Sequence, residues 1–237
     1  MESRIDIIVL LSKLRGGLIV SCQSEGGDPF HHPSLVALFA RAAEMGGASG
    51  IRAREPENIR AIKQAVALPI VGLTKGQYED GAVLITPELT DVESLLDAGA
   101  DLVAVDGTFR RRPSGLTGSD FVAAVKSRWP IPLVADVSTL DEGTAALQAG
   151  ADFVATTLSG YTGMRSTPLN SEPDWSLLVS LVNSTSKPVI MEGRVWTPLQ
   201  ARRALDLGAF AVVVGTAITR PRVITKVFVE AIGNRWT

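Results

Sequence analysis

Eight short segments read as strands, most of them unbroken runs of Val, Ile, Leu and Ala: Leu18–Cys22, Ser49–Arg52, Ile70–Leu73, Leu102–Asp106, Leu133–Asp136, Phe153–Thr156, Val189–Glu192 and Ala211–Gly215. Apolar runs without polar alternation suit strands buried on both faces, as in a parallel sheet covered by helices. Between them the apolar positions recur at helical spacing, predicting helices near Ser34–Met45, Glu57–Val66, Asp91–Ala98, Gly118–Lys126, Leu140–Gln148, Trp175–Val182, Pro198–Leu207 and Pro221–Ile232. Ile5–Leu14 reads as a further short amphipathic helix. Val83–Ile85 also has strand character, but it falls in the connection after the third strand and is assigned to a loop.

A repeat organises these elements. Gly47-Ala48, Gly99-Ala100, Gly150-Ala151 and Gly208-Ala209 each end a helical pattern and lead into a strand, recurring about every 50 residues. Strands introduced by proline (Pro69, Pro132, Pro188) fall between them. An alternating quarter repeat argues for closure into an eight-stranded α/β barrel, a TIM (β/α)8 fold, rather than an open sheet. A single barrel domain then spans residues 1–237, with the first helix over its N-terminal mouth. Irregular stretches at Gly76–Pro87, Thr108–Thr117 and Ser159–Asp174 follow strand C-termini, the functional face of such barrels.

Composition narrows the partners. Lys plus Arg number 23 against 25 Asp plus Glu, a net charge of −2, which offers no broad field for a nucleic-acid backbone or an anionic membrane. Ile5–Leu14 is interrupted by Asp6, Ser12 and Lys13 and lacks a small-residue cleavage site, so neither a signal peptide nor a membrane span is expected. Cys22 is the only cysteine, which excludes an internal disulfide and fits a reducing, cytoplasmic compartment.

The strand ends carry Gln23, Arg52, Lys75, Asp106, Asp136, Thr156 with Thr157, Glu192 and Gly215. Charged groups set so regularly against apolar runs need partners or a purpose. After the eighth strand, Gly215, Thr216 and Arg220 precede Pro221 at a helix start; with Gly193 they suit a phosphate dianion. Lys75 is either a surface loop lysine or, at a desolvated mouth, a base or an anion partner. With Glu192 and Asp136 beside a phosphate cup, the set describes proton transfer on a phosphorylated small molecule.

Other residues read as structural. Asp101 and Asp152 stand where strands begin and are expected to cap or brace. His31 and His32 lack a third ligand at metal spacing, so no metal site is expected. The run Arg110-Arg111-Arg112 reads as a solvated loop from which one arginine could reach the substrate. Trp129, Trp175, Trp196 and Trp236 read as packing residues, and Cys22 as a buried small hydrophobe.

In these residues the chain resembles the N-acylglucosamine-6-phosphate 2-epimerase family, also called N-acetylmannosamine-6-phosphate 2-epimerases. The likeness runs from Gly17-Leu18-Ile19-Val20-Ser21-Cys22-Gln23 to Val214-Gly215-Thr216-Ala217-Ile218-Thr219-Arg220-Pro221. Its most specific stretches are Val105-Asp106-Gly107-Thr108, Ala135-Asp136-Val137-Ser138-Thr139, Thr156-Thr157-Leu158-Ser159-Gly160-Tyr161-Thr162 and Glu192-Gly193-Arg194. The resemblance implies a ribulose-phosphate-binding type of barrel that interconverts N-acetylmannosamine 6-phosphate and N-acetylglucosamine 6-phosphate in amino-sugar and sialic-acid catabolism, without a redox cofactor. It implies Lys75 and Glu192 as proton-transfer groups with Asp136 beside them. It further implies Gln23, Arg52, Asp106 and Tyr161 as sugar contacts, and Gly193, Gly215, Thr216 and Arg220 for the phosphate. The loop Gly76–Gly81 and the segment Gly163-Met164-Arg165-Ser166 depart from the family pattern. Another phosphate-binding barrel chemistry (decarboxylase, isomerase or lyase) and a non-catalytic sugar-phosphate sensor are the alternatives. A homodimer is the expected assembly on the prior for helix-clad barrels.

Overall fold

Side-chain alternation along the strands separates two apolar clusters. In β6 (Leu102–Asp106), Leu102 and Ala104 join an inner cluster with Ile19, Val71, Val134, Phe153, Ile190 and Val213. Val103 and Val105 join an outer one with Ile51, Leu133, Val154 and Met191, packed against the helices. Successive strand residues point to opposite faces, so a strand apolar on both faces belongs in a wall between two cores. The computed structural model describes residues 7–24, 27–162 and 171–233. Among them eight parallel strands close into a barrel: β1 (Leu18–Cys22), β2 (Gly50–Arg54), β3 (Ile70–Leu73), β6, β7 (Leu133–Asp136), β8 (Phe153–Ala155), β9 (Val189–Glu192) and β10 (Ala211–Val214), which pairs back to β1.

The helices begin and end where local chemistry directs. Thr117, Thr139 and Thr197 cap α5 (Gly118–Arg128), α6 (Leu140–Gln148) and α8 (Pro198–Asp206), each reciprocated by the residue three places on, Asp120, Glu142 or Gln200. Pro33, Pro56 and Pro198 open α2 (Pro33–Met45), α3 (Pro56–Ala65) and α8, where a missing N–H costs nothing. The repeated glycines Gly47, Gly99, Gly150 and Gly208 have φ of +86°, +97°, +109° and +97°, the left-handed turn that ends a helix and explains why the repeat requires glycine there. Asp101 accepts the Ile70 N–H and pairs with Lys63, and Asp152 accepts the Leu133 N–H and pairs with Lys126; both brace strand starts, as expected.

At the N-terminal mouth, α1 (Ile7–Leu14) drives Leu10 and Leu14 into the inner cluster and closes the barrel floor. Ile5, the segment Gly163-Met164-Arg165-Ser166 and Trp236 lie outside the described residues. Two features depart from expectation. Val83–Ile85 is a strand after all: β5 pairs antiparallel with β4 (Lys75–Gln77), Lys75 opposite Ile85, making a hairpin above β3. Its partner, Lys-Gly-Gln, carries no apolar signal, so only the pairing reveals it. The last helix, α10 (Pro221–Ile232), buries none of its residues although it presents Val227, Phe228, Val229 and Ile232. It packs chiefly on the short α9 (Thr216–Thr219) rather than cladding the barrel.

Candidate active site

The inward parity of each strand lifts one polar side chain to the C-terminal rim. In β2, Arg52 follows Gly50; the strand runs two residues beyond its expected end, so Arg52 stands inside the barrel wall. It is 2% exposed and makes a bidentate pair with the fully buried Asp136 of β7, at 2.5 and 3.2 Å. Its Nη1 also lies 3.2 Å from Glu192 Oε2 at the end of β9. Burial alone lowers the guanidinium pKa, but the charges of Asp136 and Glu192 and the Asp136 hydrogen bond outweigh it, so Arg52 is a fixed cation. Glu192 is pushed toward its neutral form. Its burial, helped by the Asp136 charge, raises its pKa against the opposing pull of Arg52, Thr157 and Lys75.

Arg52 and Glu192 line a cavity of about 360 Å³ at the C-terminal face. Lys75, carried by the hairpin, shares its lining with Gln23, Arg52, Tyr161 and Glu192. Gln23 donates to Ser21 Oγ at 2.8 Å, while its buried Oε1 has no protein partner, an acceptor left for a bound hydroxyl or amide. Gly193, Gly215, Thr216 and Arg220 line the same cavity. Thr219 anchors this corner to β1 by donating to the Ser21 carbonyl at 2.7 Å. A cavity that combines a cationic, hydrogen-bonding rim with a lysine and a proton-retaining glutamate can hold an anionic group and exchange a proton on the same small molecule.

Some sequence-selected residues lie elsewhere. Asp136 does not line the cavity; it sits beneath it, spent on Arg52 and Thr157. Asp106, read as a sugar contact, is 1% exposed and outside the lining. It accepts from Thr108 and Arg110, because the hairpin covers this part of the rim. Of the arginine run only Arg111 is solvated. Arg110 pairs with Asp106 at 2.9 Å, donates to the Val83 carbonyl at 3.3 Å and stacks on Tyr78. Arg112 is buried, donating to the carbonyls of Thr86, Pro87 and Asp106. Trp196 lines the cavity rather than only packing. His32 caps α2 with its ring nitrogen, and Cys22 is a buried thiol whose pKa is pushed up to about 12 by burial. Thr157 is the participant that residue typing missed: its hydroxyl lies 2.8 Å from Asp136 Oδ1 and 3.0 Å from Glu192 Oε2.

Residues 36–234 match the NanE family, described as "Putative N-acetylmannosamine-6-phosphate epimerase". The chain belongs to the NanE family. Among curated relatives of this NanE chain, one from Caldanaerobacter subterraneus subsp. tengcongensis is 48% identical over 227 residues, covering 95% of each chain. Another, from Cutibacterium acnes, is 44% identical over 225 residues, covering 94% of this chain and 96% of its own. Both carry the name "Putative N-acetylmannosamine-6-phosphate 2-epimerase". The NanE barrel also superposes on the solved N-acetylmannosamine-6-phosphate 2-epimerase of Clostridium perfringens with a TM-score of 0.88 at 41% identity, over 98% of this chain and all of the other. A thiamine phosphate pyrophosphorylase from Pyrococcus furiosus shares the fold alone, with a TM-score of 0.60 at 19% identity.

Proposed function

We propose that this NanE chain interconverts N-acetylmannosamine 6-phosphate and N-acetylglucosamine 6-phosphate by removing and returning the proton on C2, in amino-sugar and sialic-acid catabolism. The observation that carries the reading is one cavity whose lining brings Lys75 and Glu192 together with Gly193, Gly215, Thr216 and Arg220. C2 of the open-chain sugar adjoins the C1 aldehyde, so loss of its proton gives an enolate whose oxyanion needs a cationic or hydrogen-bonding neighbour. Lys75 takes and returns the C2 proton. Glu192 assists ring opening and reprotonation. Arg52 holds Glu192 in place and adds fixed positive charge, Gln23 and Tyr161 meet the sugar, and the rim from Gly215 to Arg220 holds the phosphate.

No helix among the described residues is long and apolar enough to cross a membrane, and with a single reduced thiol this supports a cytoplasmic protein. The uncovered apolar side of α10 supports a homodimer in which a second copy covers it.

Proton NMR of the protein with N-acetylmannosamine 6-phosphate in D₂O tests the chemistry. The expected outcome is N-acetylglucosamine 6-phosphate carrying deuterium at C2, at a rate that K75A lowers by at least about a hundredfold. Absence of product with folded protein reassigns the cavity to another phosphate-barrel chemistry.

A further inference from the structure

Thr157 follows β8, in the short turn Thr156–Leu158, and its side chain faces two carboxyl groups at once. Its Oγ1 lies 2.8 Å from Asp136 Oδ1 and 3.0 Å from Glu192 Oε2. A hydroxyl has one proton and can donate it to only one of them. If both acids were ionised, the second contact would set oxygen lone pairs against each other in a buried site, at a cost that a nearby fixed cation does not remove.

The surroundings say which acid holds the extra proton. Both oxygens of Asp136 accept from the Arg52 fork, and Oδ1 also meets Thr157, so a proton on Asp136 would point at a donor. Glu192 has room for one: its Oε2 meets Arg52 and the Thr157 hydroxyl, and once that hydroxyl donates to Asp136 a proton on Oε2 can point at the Thr157 oxygen. The charged and titratable groups facing Glu192 are Arg52 from β2, Asp136 from β7 and Lys75 from β4. Arg194, two residues on, is turned away to the carbonyls of Ser159 and Glu172.

We propose that Thr157 is a positioning residue that keeps the proton of this carboxyl pair on Glu192, donating its own hydroxyl proton to Asp136 and accepting the proton of Glu192. The chain of donors then runs from Glu192 through Thr157 to Asp136, with Arg52 neutralising the single carboxylate at its end. Burial of Glu192, which favours its neutral form, acts in the same direction. The site thus rests with a carboxylic acid at the cavity wall, ready to give a proton to a sugar oxygen. In that role the proposal rests on the epimerase reading; the placement of the proton does not.

The two are separated by an experiment that needs no substrate. In the full chain with ¹³C-labelled glutamate, the Cδ shift of Glu192, assigned with E192Q, is followed through a pH titration of wild type, T157S and T157V. Wild type and T157S should titrate together, and T157V should lose the Glu192 proton about one pH unit lower, a tenfold loss of proton affinity. In parallel, the alkaline limb of kcat/KM for epimerisation should move down by the same amount in T157V and stay in place in T157S. A midpoint that rises in T157V would mean that Thr157 donates to a Glu192 carboxylate, and one that does not move would make the hydroxyl a bystander; either overturns the proposal. Should T157V fail to fold, wild type decides alone: a carboxylate shift for Glu192 at about pH 5.3, one unit above the ordinary glutamate value, overturns it. Titration as expected with no turnover of the sugar phosphate would sink the epimerase reading and leave the proton on Glu192.

Discussion

Glu192 holds its proton more firmly than an ordinary glutamate because burial disfavours the charged form, and this couples the site to folding. The unfolded chain titrates at about 4.3 and the folded one higher, so the stabilisation is full below the unfolded value and is lost as pH rises through the folded one. Asp106, raised by burial against its bonds to Thr108 and Arg110, acts in the same sense. Urea denaturation between about pH 4 and about pH 8 should therefore show stability contributed by Glu192 falling with pH, a component that E192Q, having no proton to lose, removes. Slopes equal in the two proteins would place no folding cost on that carboxyl. The same substitution should abolish any proton transfer that needs the acid.

Lys75 depends on an element that has little to hold it by itself. The β4–β5 hairpin has three residues on each side, too short to be stable without packing. It is fastened from the β6–α5 connection: Arg112 bonds the Thr86 and Pro87 carbonyls at its base, where Thr86 has a φ of +47°, and Arg110 bonds the Val83 carbonyl while pairing with Asp106. The connection is itself closely packed. A Cβ added at Gly118 would lie 2.3 Å from the Gly107 backbone, so the start of α5 cannot shift to accommodate a side chain. R112A leaves two buried carbonyls and one part-buried carbonyl without this donor and should cost about 3 kcal/mol in chemical denaturation. It should also lower kcat, because Lys75 loses its fixed approach to C2. Unchanged kcat in a folded, destabilised R112A would separate the clasp from the catalytic lysine.

At the scale of the molecule, α10 stands apart from the barrel and the hairpin on its rim, for none of its residues is buried. Its exposed Phe228, Val229 and Ile232 fall on one side of the helix, an apolar side that water alone would have to cover, which the hydrophobic effect disfavours. Sedimentation should find a dimer for wild type and a monomer for F228D; a wild-type monomer would discard that assembly. The sequence alone determined the barrel and much of its rim, because the signals for them are short-range: unbroken apolar runs, prolines that introduce strands, and the glycines whose positive φ ends each helix before a strand. It also placed Lys75, Arg52 and Glu192 at strand ends, since an apolar run followed by a charged residue is visible along the chain. Which of these charges meet was decided only by closure of the barrel. Arg52 and Asp136 are 84 residues apart and pair because their strands, with β3 and β6 between them, bring both side chains to one inner rim. The same closure buried Asp106 beneath the hairpin, turned the arginine run into a clasp, and set the hydroxyl of Thr157 between two acids. No local periodicity encodes a contact whose partners are brought together by the register of distant strands.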